Sequence, residues 1–163
     1  NSGDKPVGGA VTVRSGLCVN CTVVGNTTSH GCAGILSQGG KVYNCLVLDN
    51  TTDNPRAGLE GTDPYYGGDL ANFSRNVAAA AFGDGAFLTE TAERPFAFVD
   101  REGGDYRAAR IGCVTVNAGV RVVPEDAKLL KGLDLDGNRR AVARPDVGCY
   151  ESFFVNGLQI FLR

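Results

Sequence analysis

A ten-residue segment near the start of the chain returns 24 residues later with similar residue types in the same order. Residues 19–28 read VNCTVVGNTT, and residues 43–52 read YNCLVLDNTT. The same offset separates Val11 from Ile35, so the similarity extends beyond this segment. A unit this short cannot bury an apolar face by itself and must stack on copies of itself. The repeat therefore predicts a solenoid.

Each copy contains short runs in which apolar residues alternate with other residues. Val11 and Val13 share one face of a strand, and Thr12 and Arg14 share the other, because side chains two residues apart point the same way. Glycine turns without a helical stretch favour a parallel β-helix over a leucine-rich horseshoe. We therefore expect an all-β chain that forms a parallel β-helix.

Stacking places equivalent residues of successive copies above one another, about 4.8 Å apart. The predicted inner ladders are Cys21 on Cys45 and Val23 on Val47, and Asn26 should stack on Asn50 at a turn. The predicted outward positions are Thr12, Arg14, Thr22, Leu46 and Leu48. Asparagines that begin Asn-x-Ser/Thr triplets occur at Asn20, Asn26, Asn50 and Asn72. A ladder of stacked amides explains the paired asparagines without an attached sugar, so we expect structural roles for them.

One domain is expected over residues 1–151, followed by a terminal strand or hairpin over 152–163. Residues 9–76 should hold the stacked coils, interrupted by a Gly-, Pro- and Asp-rich loop at 53–68. Residues 77–151 should hold the last coil and the C-terminal cap.

Three smaller segments carry their own expectations. Residues 69–74 are predicted to form a third, degenerate coil, and residues 78–81, four alanines in a row, a short helical turn. Asn156-Gly157 lies between two apolar runs, which indicates a hairpin, with one extended strand as the alternative. In the simpler interpretation, this tail covers an edge of the β-helix. In the alternative interpretation, it anchors the chain or binds a partner.

The charge and hydropathy of the chain exclude two classes of protein. A formal net charge of −2 argues against a nucleic-acid binder, which needs a basic face. No apolar run approaches the ~20 residues that span a bilayer. The chain has neither an initial Met nor a signal peptide, so we expect a processed or truncated chain.

The cysteines suggest neither a metal site nor a cofactor. They are Cys18, Cys21, Cys32, Cys45, Cys113 and Cys149. Cys18 and Cys21 form a C-x-x-C motif, but no second pair follows at zinc-site spacing. The motif also lies in a strand pattern, whereas redox motifs of this kind begin a helix. We expect Cys21 and Cys45 to be buried thiols, and Cys113 and Cys149 to be the bridged pair if one disulfide exists.

The C-terminal half contains five short motifs in sequence. They read RPFAFVD at 94–100, GDYR at 104–107, CVTVNAG at 113–119, DLDGNRR at 134–140 and PDVGCYE at 145–151. Their order and spacing resemble the C-terminal region of exported bacterial right-handed parallel β-helix proteins of the kind found in Bacteroidetes and Planctomycetes. The resemblance implies a single-stranded right-handed parallel β-helix, a short solenoid with a C-terminal cap. It also implies a secreted, periplasmic or cell-surface location. It implies no active site, because the pattern marks a fold.

The chain departs from that pattern at four positions. Cys113 and Val114 stand where Ser and Pro are usual, Arg139-Arg140 replaces a common Pro-Arg, and Cys149 replaces a frequent Ala. These changes alter packing and leave the expected fold in place. A solenoid end exposes apolar core and unpaired strand groups, so it needs a cap. The bulky residues expected to supply it are Phe96, Phe98, Tyr106 and Tyr150.

Two further polar features have simple interpretations. Residues 134–138, Asp-Leu-Asp-Gly-Asn, have the chemistry of an Asx turn. They also resemble the start of a calcium loop, but the twelfth position is Pro145 where a carboxylate is needed. We therefore expect a turn, with calcium as the alternative. His30, the only histidine, is expected in an exposed loop, so a Ser-His-Asp triad is not predicted.

Three functions remain open from the sequence. The chain is a non-catalytic surface module directed at glycans or partners, the C-terminal part of a polysaccharide lyase or glycoside hydrolase, or a structural cap on a longer stalk. Hydrolysis needs two facing carboxylates, and no outward position of the coils is acidic. We name no catalytic residue and expect no turnover by this chain alone. The link to sugars rests on fold analogy.

The first coil has no predicted element to cover it. Val11 and the backbone of its strand should form an open edge, and an open edge tends to pair with another chain. We therefore expect either self-association through this coil or upstream coils that occupy the same place.

Overall fold

The structure is a computed structural model that describes residues 10–28, 32–52, 69–81, 83–121, 132–140 and 144–152 of the 163-residue chain. The expected loop at 53–68, His30, the chain start at 1–9 and the tail beyond 152 lie outside the described residues.

The described residues are almost entirely short strands and turns. They contain one 3₁₀ helix, Leu70–Asn72, and thirteen strands. The strands are β1 (Val11–Val13), β2 (Leu17–Val19), β3 (Thr22–Val24), β4 (Thr27–Thr28), β5 (Ile35–Ser37), β6 (Lys41–Tyr43), β7 (Leu46–Leu48), β8 (Thr51–Thr52), β9 (Phe73–Ser74), β10 (Asn76–Ala78), β11 (Phe87–Leu88), β12 (Phe98–Asp100) and β13 (Asp105–Ala108). The predicted all-β class is confirmed.

The first eight strands form parallel ladders in the register that the repeat predicts. β1 pairs with β5, β2 with β6, β3 with β7 and β4 with β8, all parallel. Val23 lies opposite Val47, and the Leu46 N–H donates to the Cys21 carbonyl at 2.8 Å. The stacking predicted at a 24-residue offset is therefore confirmed.

A third copy continues two of these ladders after the expected loop. β9 pairs with β6, with Phe73 opposite Val42, and β10 pairs with β7, with Val77 opposite Leu46. β11 then adds a fourth parallel strand next to β10. The helical turn predicted at 78–81 is wrong, because Ala78 ends β10. Ladder hydrogen bonds to a neighbouring strand outweigh the small intrinsic preference of alanine for helix.

The strands have an apolar layer on each side. The inner layer contains buried residues from all three copies: Val13, Val23, Ile35, Val42, Cys45, Val47, Phe73 and Phe87. The outer layer contains Leu46, Leu48 and Val77 together with Cys113, Val114, Val116, Ala118 and Val147. The C-terminal segment therefore packs on the outer face of the sheet formed by β3, β7, β10 and β11.

This packing corrects two expectations. Leu46 and Leu48 were predicted to face outward, yet they are only 1% and 0% exposed. They do lie on the opposite side from Val47, and a second layer covers them. Phe96, Phe98 and Tyr106, which were expected at the end of the stack, contact this outer layer. Burial of Leu46 and Leu48 stabilises the packing of the C-terminal segment against this face of the sheet.

Side-chain amides of asparagines connect the coils to one another and to the C-terminal segment. The side chain of Asn44 accepts the Val120 N–H at 2.8 Å and donates to the Val120 carbonyl at 3.0 Å. Asn76 is fully buried, accepts the Cys45 N–H at 2.9 Å and donates to the Val42 carbonyl at 3.0 Å. Each amide thereby satisfies backbone groups that would otherwise be buried without partners.

In the described part of the chain, none of the helical structure has the length and apolar character of a bilayer-crossing helix.

Candidate functional site

A surface cleft lies between strand β13 and two turns of the C-terminal half, and the turn at 134–138 forms part of it. Asp134 Oδ1 accepts the Asn138 N–H at 2.7 Å, and Asp134 Oδ2 accepts the Glu151 N–H at 2.8 Å. Gly137 follows with a positive φ of 82°, which the turn requires. Burial alone would raise the pKa of Asp134, but these N–H donors hold it below its ordinary value. The carboxylate therefore acts as the acceptor of an Asx-type turn.

The loop at 144–152 supplies a second wall, built on two buried carboxylates. Asp146 Oδ1 accepts the Asn117 N–H at 2.7 Å, and Asp146 Oδ2 accepts the Ser152 N–H at 2.7 Å. Glu151 Oε2 accepts the Asp146 N–H at 3.2 Å and lies 3.6 Å from a guanidinium nitrogen of Arg140. Both carboxylates hold backbone in place.

Strand β13 brings an arginine to the rim of the cleft. Arg107 Nε donates to Asp105 Oδ1 at 2.8 Å, and another guanidinium nitrogen lies 3.7 Å from Asp136 Oδ2. The guanidinium carbon is 6.0 Å from the centre of the Tyr150 ring, within the range of a cation–π contact. Arg107 thus joins β13 to both turns while about half of its side chain stays exposed.

The neighbouring Tyr106 is held by a separate surface network. Its hydroxyl donates to Asp49 Oδ2 at 3.3 Å, and Arg101 Nε donates to the same oxygen at 2.8 Å. The hydrogen bond from Arg101 lowers the pKa of Asp49, whereas burial and the Asp49 charge raise the pKa of Tyr106. The Tyr106 ring also packs edge-on against Phe98, with 5.3 Å between ring centres. Tyr106 is therefore a neutral, oriented phenol.

The cleft between these groups has a volume of about 190 Å³. Its lining residues are Tyr106, Arg107, Ala108, Thr115, Asp136, Asn138, Asp146, Val147, Tyr150, Glu151 and Ser152. This volume is below the ~300 Å³ at which drug-sized pockets begin. The cleft therefore has room for one small ring or chain end.

The chemistry of the cleft favours binding over bond cleavage. Tyrosine rings offer apolar faces, and carboxylate, amide and guanidinium groups offer hydrogen bonds. Glycoside hydrolysis needs an acid with a raised pKa opposite a second carboxylate. Asp146 and Glu151 are committed to backbone N–H groups.

A second candidate site lies inside the coils, where three cysteines meet. Cys18 is in β2, Cys21 precedes β3, and Cys45 precedes β7 one copy later. Asn20 and Asn44 turn the chain at equivalent corners with φ values of 53° and 55°, which brings the flanking side chains to the same interior. The sulfur atoms of Cys18 and Cys45 are 3.9 Å apart, and all three lie within 4.8 Å of one another.

The three thiols are strongly coupled. Hydrogen bonds from the thiols of Cys18 and Cys45 lower the pKa of Cys21 to about 3, and the positive charge of Arg140 acts in the same direction. The hydrogen bond to Cys21 raises the pKa of Cys18 to about 12, and hydrogen bonds to both neighbours raise the pKa of Cys45 well above its ordinary value. The three thiols therefore titrate as one coupled set, in which Cys21 is the most readily ionised.

None of the six cysteines forms a disulfide in the structure, and of the two that were expected to be buried thiols only Cys45 is buried. Cys45 is fully buried, and Cys21 is half-buried. Cys113 and Cys149, the pair proposed for a bridge, are not joined. The Cys113 sulfur lies 3.3 Å from the Thr115 hydroxyl instead.

Sequence reasoning predicted neither site, although the C-x-x-C motif of Cys18 and Cys21 was a signal for the cysteine site. The repeat aligned Cys21 with Cys45 but gave no sign that Cys18 reaches the same interior, because that depends on the left-handed corner at Asn20. The only signal for the cleft was the clustering of Asp, Asn and Tyr in the closing motifs, which were interpreted as turns and cap.

Comparison of the chain with protein-family models, curated proteins and solved structures gives no match.

Proposed function

We propose that this chain is part of a right-handed parallel β-helix that serves as a non-catalytic extracellular or cell-surface module and binds glycans in the cleft between Tyr106 and Tyr150. The single observation that carries the binding proposal is the grouping of two tyrosines, an oriented arginine and further polar side chains around one small cleft.

The register of the strands supports the β-helix. Four separate pairs of strands share one 24-residue offset, and a third copy extends two of them. Parallel neighbours require a crossover for each connection, and such crossovers are right-handed in ~98% of cases. One coil of a right-handed solenoid per repeat meets both requirements.

The cleft suits the mixed polarity of a sugar ring. The carbon–hydrogen face of a sugar packs on an aromatic ring, and its hydroxyls bond to carboxylates, amides and guanidinium groups. The size of the cleft limits the bound part to one ring, such as the end of a glycan chain.

The excess of negative charge in the cleft restricts the class of sugar that the cleft can bind. Its lining contains three carboxylates, Asp136, Asp146 and Glu151, and one cation, Arg107. An anionic uronate would meet this excess of negative charge at close range. We therefore propose a neutral or amino sugar as the ligand.

The location and the partners follow from other features. The extracellular or surface location rests on the resemblance of the motifs at 94–151. Among the described residues, strands β1 and β3 pair on one side only. We propose that this edge continues into further coils or pairs with a second copy.

A glycan array made of immobilised neutral, amino and uronate oligosaccharides tests the binding proposal. The chain should be retained by neutral or amino sugars. Tyr150→Ala should lower the affinity about ten-fold, consistent with loss of an aromatic contact of ~1.4 kcal/mol. Tyr150→Phe should keep most of it, since the ring remains.

The matched control compares two exposed arginines. Arg107→Ala should weaken binding, whereas Arg14→Ala, on the first coil, should leave it unchanged. No retention by any sugar, or equal retention by all these variants, contradicts the proposal. Release of reducing ends or unsaturated uronates by the chain, lost on mutation of a cleft residue, would establish the enzyme alternative instead.

A further inference from the structure

We propose that Cys18, Cys21 and Cys45 form a thiolate site for a soft d¹⁰ metal ion, with Cu⁺ the ion that three sulfur donors fit best. The site is separate from the glycan cleft and does not depend on it.

The spacing of the sulfur atoms matches a shared ion. Two thiolates bound to one ion at ~2.3 Å stand about 3.8–4.0 Å apart for bond angles between tetrahedral and trigonal. The sulfurs of Cys18 and Cys45 are already 3.9 Å apart. The third sulfur lies within 4.8 Å of both, so a shift of under about 1 Å completes the set.

The donor set selects the class of ion. In the described residues the cluster contains cysteines alone, without imidazole or carboxylate. Purely sulfur ligands favour Cu⁺, Zn²⁺ and iron–sulfur clusters over hard cations. Iron–sulfur clusters and structural zinc sites use four protein ligands, so three sulfurs are best matched by Cu⁺. Zn²⁺ would need a fourth ligand.

A buried cation whose charge acts on Cys21 favours negative charge at the cluster. The Arg140 side chain is only 5% exposed, and its charge acts on Cys21. One of its guanidinium nitrogens makes no hydrogen bond, although Glu151 lies 3.6 Å away. The positive charge of Arg140 therefore partly compensates an extra negative charge at the thiols. On binding, each protonated thiol releases its proton to solvent, so the ion replaces protons.

The rest of the scaffold holds the ligands in place. Cys45 is packed in the inner core, and Cys18 and Cys21 lie at its border and are partly buried. In the third copy the position of Cys45 is taken by Asn76. The side-chain oxygen of Asn76 accepts the Cys45 N–H and so fixes the backbone at Cys45. A preorganised pocket with one accessible side gives an ion a path for entry.

Titration of the reduced chain with Cu⁺, and in a parallel arm with Zn²⁺, tests the site. Native mass spectrometry should show one Cu⁺ per chain, and the near-ultraviolet spectrum should gain a sulfur-to-copper charge-transfer band. Cys21→Ser and Cys45→Ser should each lower the Cu⁺ affinity by more than about 100-fold, because even residues that only support ligands change affinity 10–100-fold.

The matched control is Cys113→Ser, which removes a buried thiol from the outer layer and should leave the Cu⁺ affinity unchanged. Cys45 is in the core, so Cys21→Ser, at a half-buried position, keeps the test valid if Cys45→Ser unfolds the chain. Zinc binding with the same cysteine dependence supports the thiolate site with a different ion, and its loss in Cys149→Ser would identify the fourth ligand. No binding of either ion, binding that survives Cys21→Ser, or a disulfide within the trio in the protein as isolated overturns the proposal.

Discussion

The side-chain amide of Asn26 donates to Oδ1 of Asn50, 24 residues later, over 2.8 Å. The same oxygen accepts the backbone N–H of Asn26 at 3.0 Å, and the Asn50 amide donates to the Val23 carbonyl at 2.9 Å. One side chain therefore connects two copies of the repeat at a corner. Asn50 is buried, with 2% of its surface exposed.

Replacement of Asn50 by Ala should lower the free energy of unfolding by about 2–3 kcal/mol. The substitution removes three hydrogen bonds and leaves buried backbone groups without partners. Thr51→Val is the control, because it removes an exposed hydroxyl that contacts Thr27 at 3.0 Å and should cost within about 0.5 kcal/mol. Urea denaturation followed by circular dichroism measures both. Equal losses would contradict the ladder as a source of stability.

Two equivalent corners should respond in opposite ways to glycine. Asn20 and Asn44 both have positive φ, which glycine adopts without strain. Asn44→Gly removes two hydrogen bonds to Val120 and should destabilise the fold by about 2 kcal/mol. Asn20→Gly removes a buried oxygen that has no hydrogen-bond partner and should be neutral or stabilising by up to about 1 kcal/mol. A comparison of denaturation midpoints decides the matter, and a larger loss at Asn20 would refute it.

The approach of the C-terminal loop to the outer sheet face should make one glycine hard to replace. A Cβ at Gly148 would lie 2.8 Å from Thr22 Oγ1 and 3.3 Å from Leu46 Cβ, whereas a Cβ at Gly137 would meet nothing within 4 Å. Both positions have positive φ, so alanine at either should cost about 1 kcal/mol from backbone strain. Gly148→Ala should cost a further 1–3 kcal/mol or so from overpacking. Thermal unfolding of the two variants and proteolysis of the loop at 144–152 measure the effect. Equal losses of stability in the two variants would contradict the close packing at Gly148.

Stability should depend on the ionisation of Asp134. Because its pKa is lower in the folded chain than in the unfolded chain, its contribution is present above the unfolded value of about 4 and is lost as the pH falls through the folded value. At pH 7, Asp134→Asn should cost about 2 kcal/mol, since the new amide cannot accept every bond that the carboxylate accepts.

The difference between Asp134→Asn and the original chain should shrink as the pH is lowered below about 4. Asp136→Asn is the control, because Asp136 is exposed and lies 3.7 Å from Arg107 at the surface. Its effect should stay below about 1 kcal/mol at neutral pH. A constant difference for Asp134→Asn between pH 7 and pH 3 would show that its ionisation does not contribute.

The strand register and the asparagine ladder were predictable from the sequence. Both depend on a relation between residues that repeats at one offset, so Val23 opposite Val47 and Asn26 on Asn50 follow once the copies are recognised. Period-two alternation likewise separates Val47 from Leu46 and Leu48, because neighbouring strand residues face opposite sides.

The tertiary structure decided which segments cover the two faces of the parallel strands. The Thr22 hydroxyl accepts the Cys149 N–H from 127 residues away, and Asn44 bonds to Val120 across 76 residues. No repeat relates these partners. Leu46 and Leu48 become core, the cleft forms, and Cys18 joins Cys21 and Cys45 only after distant segments dock and the left-handed corners turn the chain. A periodic pattern determines contacts between its own copies, whereas contacts with non-repeating segments depend on shape and burial that appear only in the folded chain.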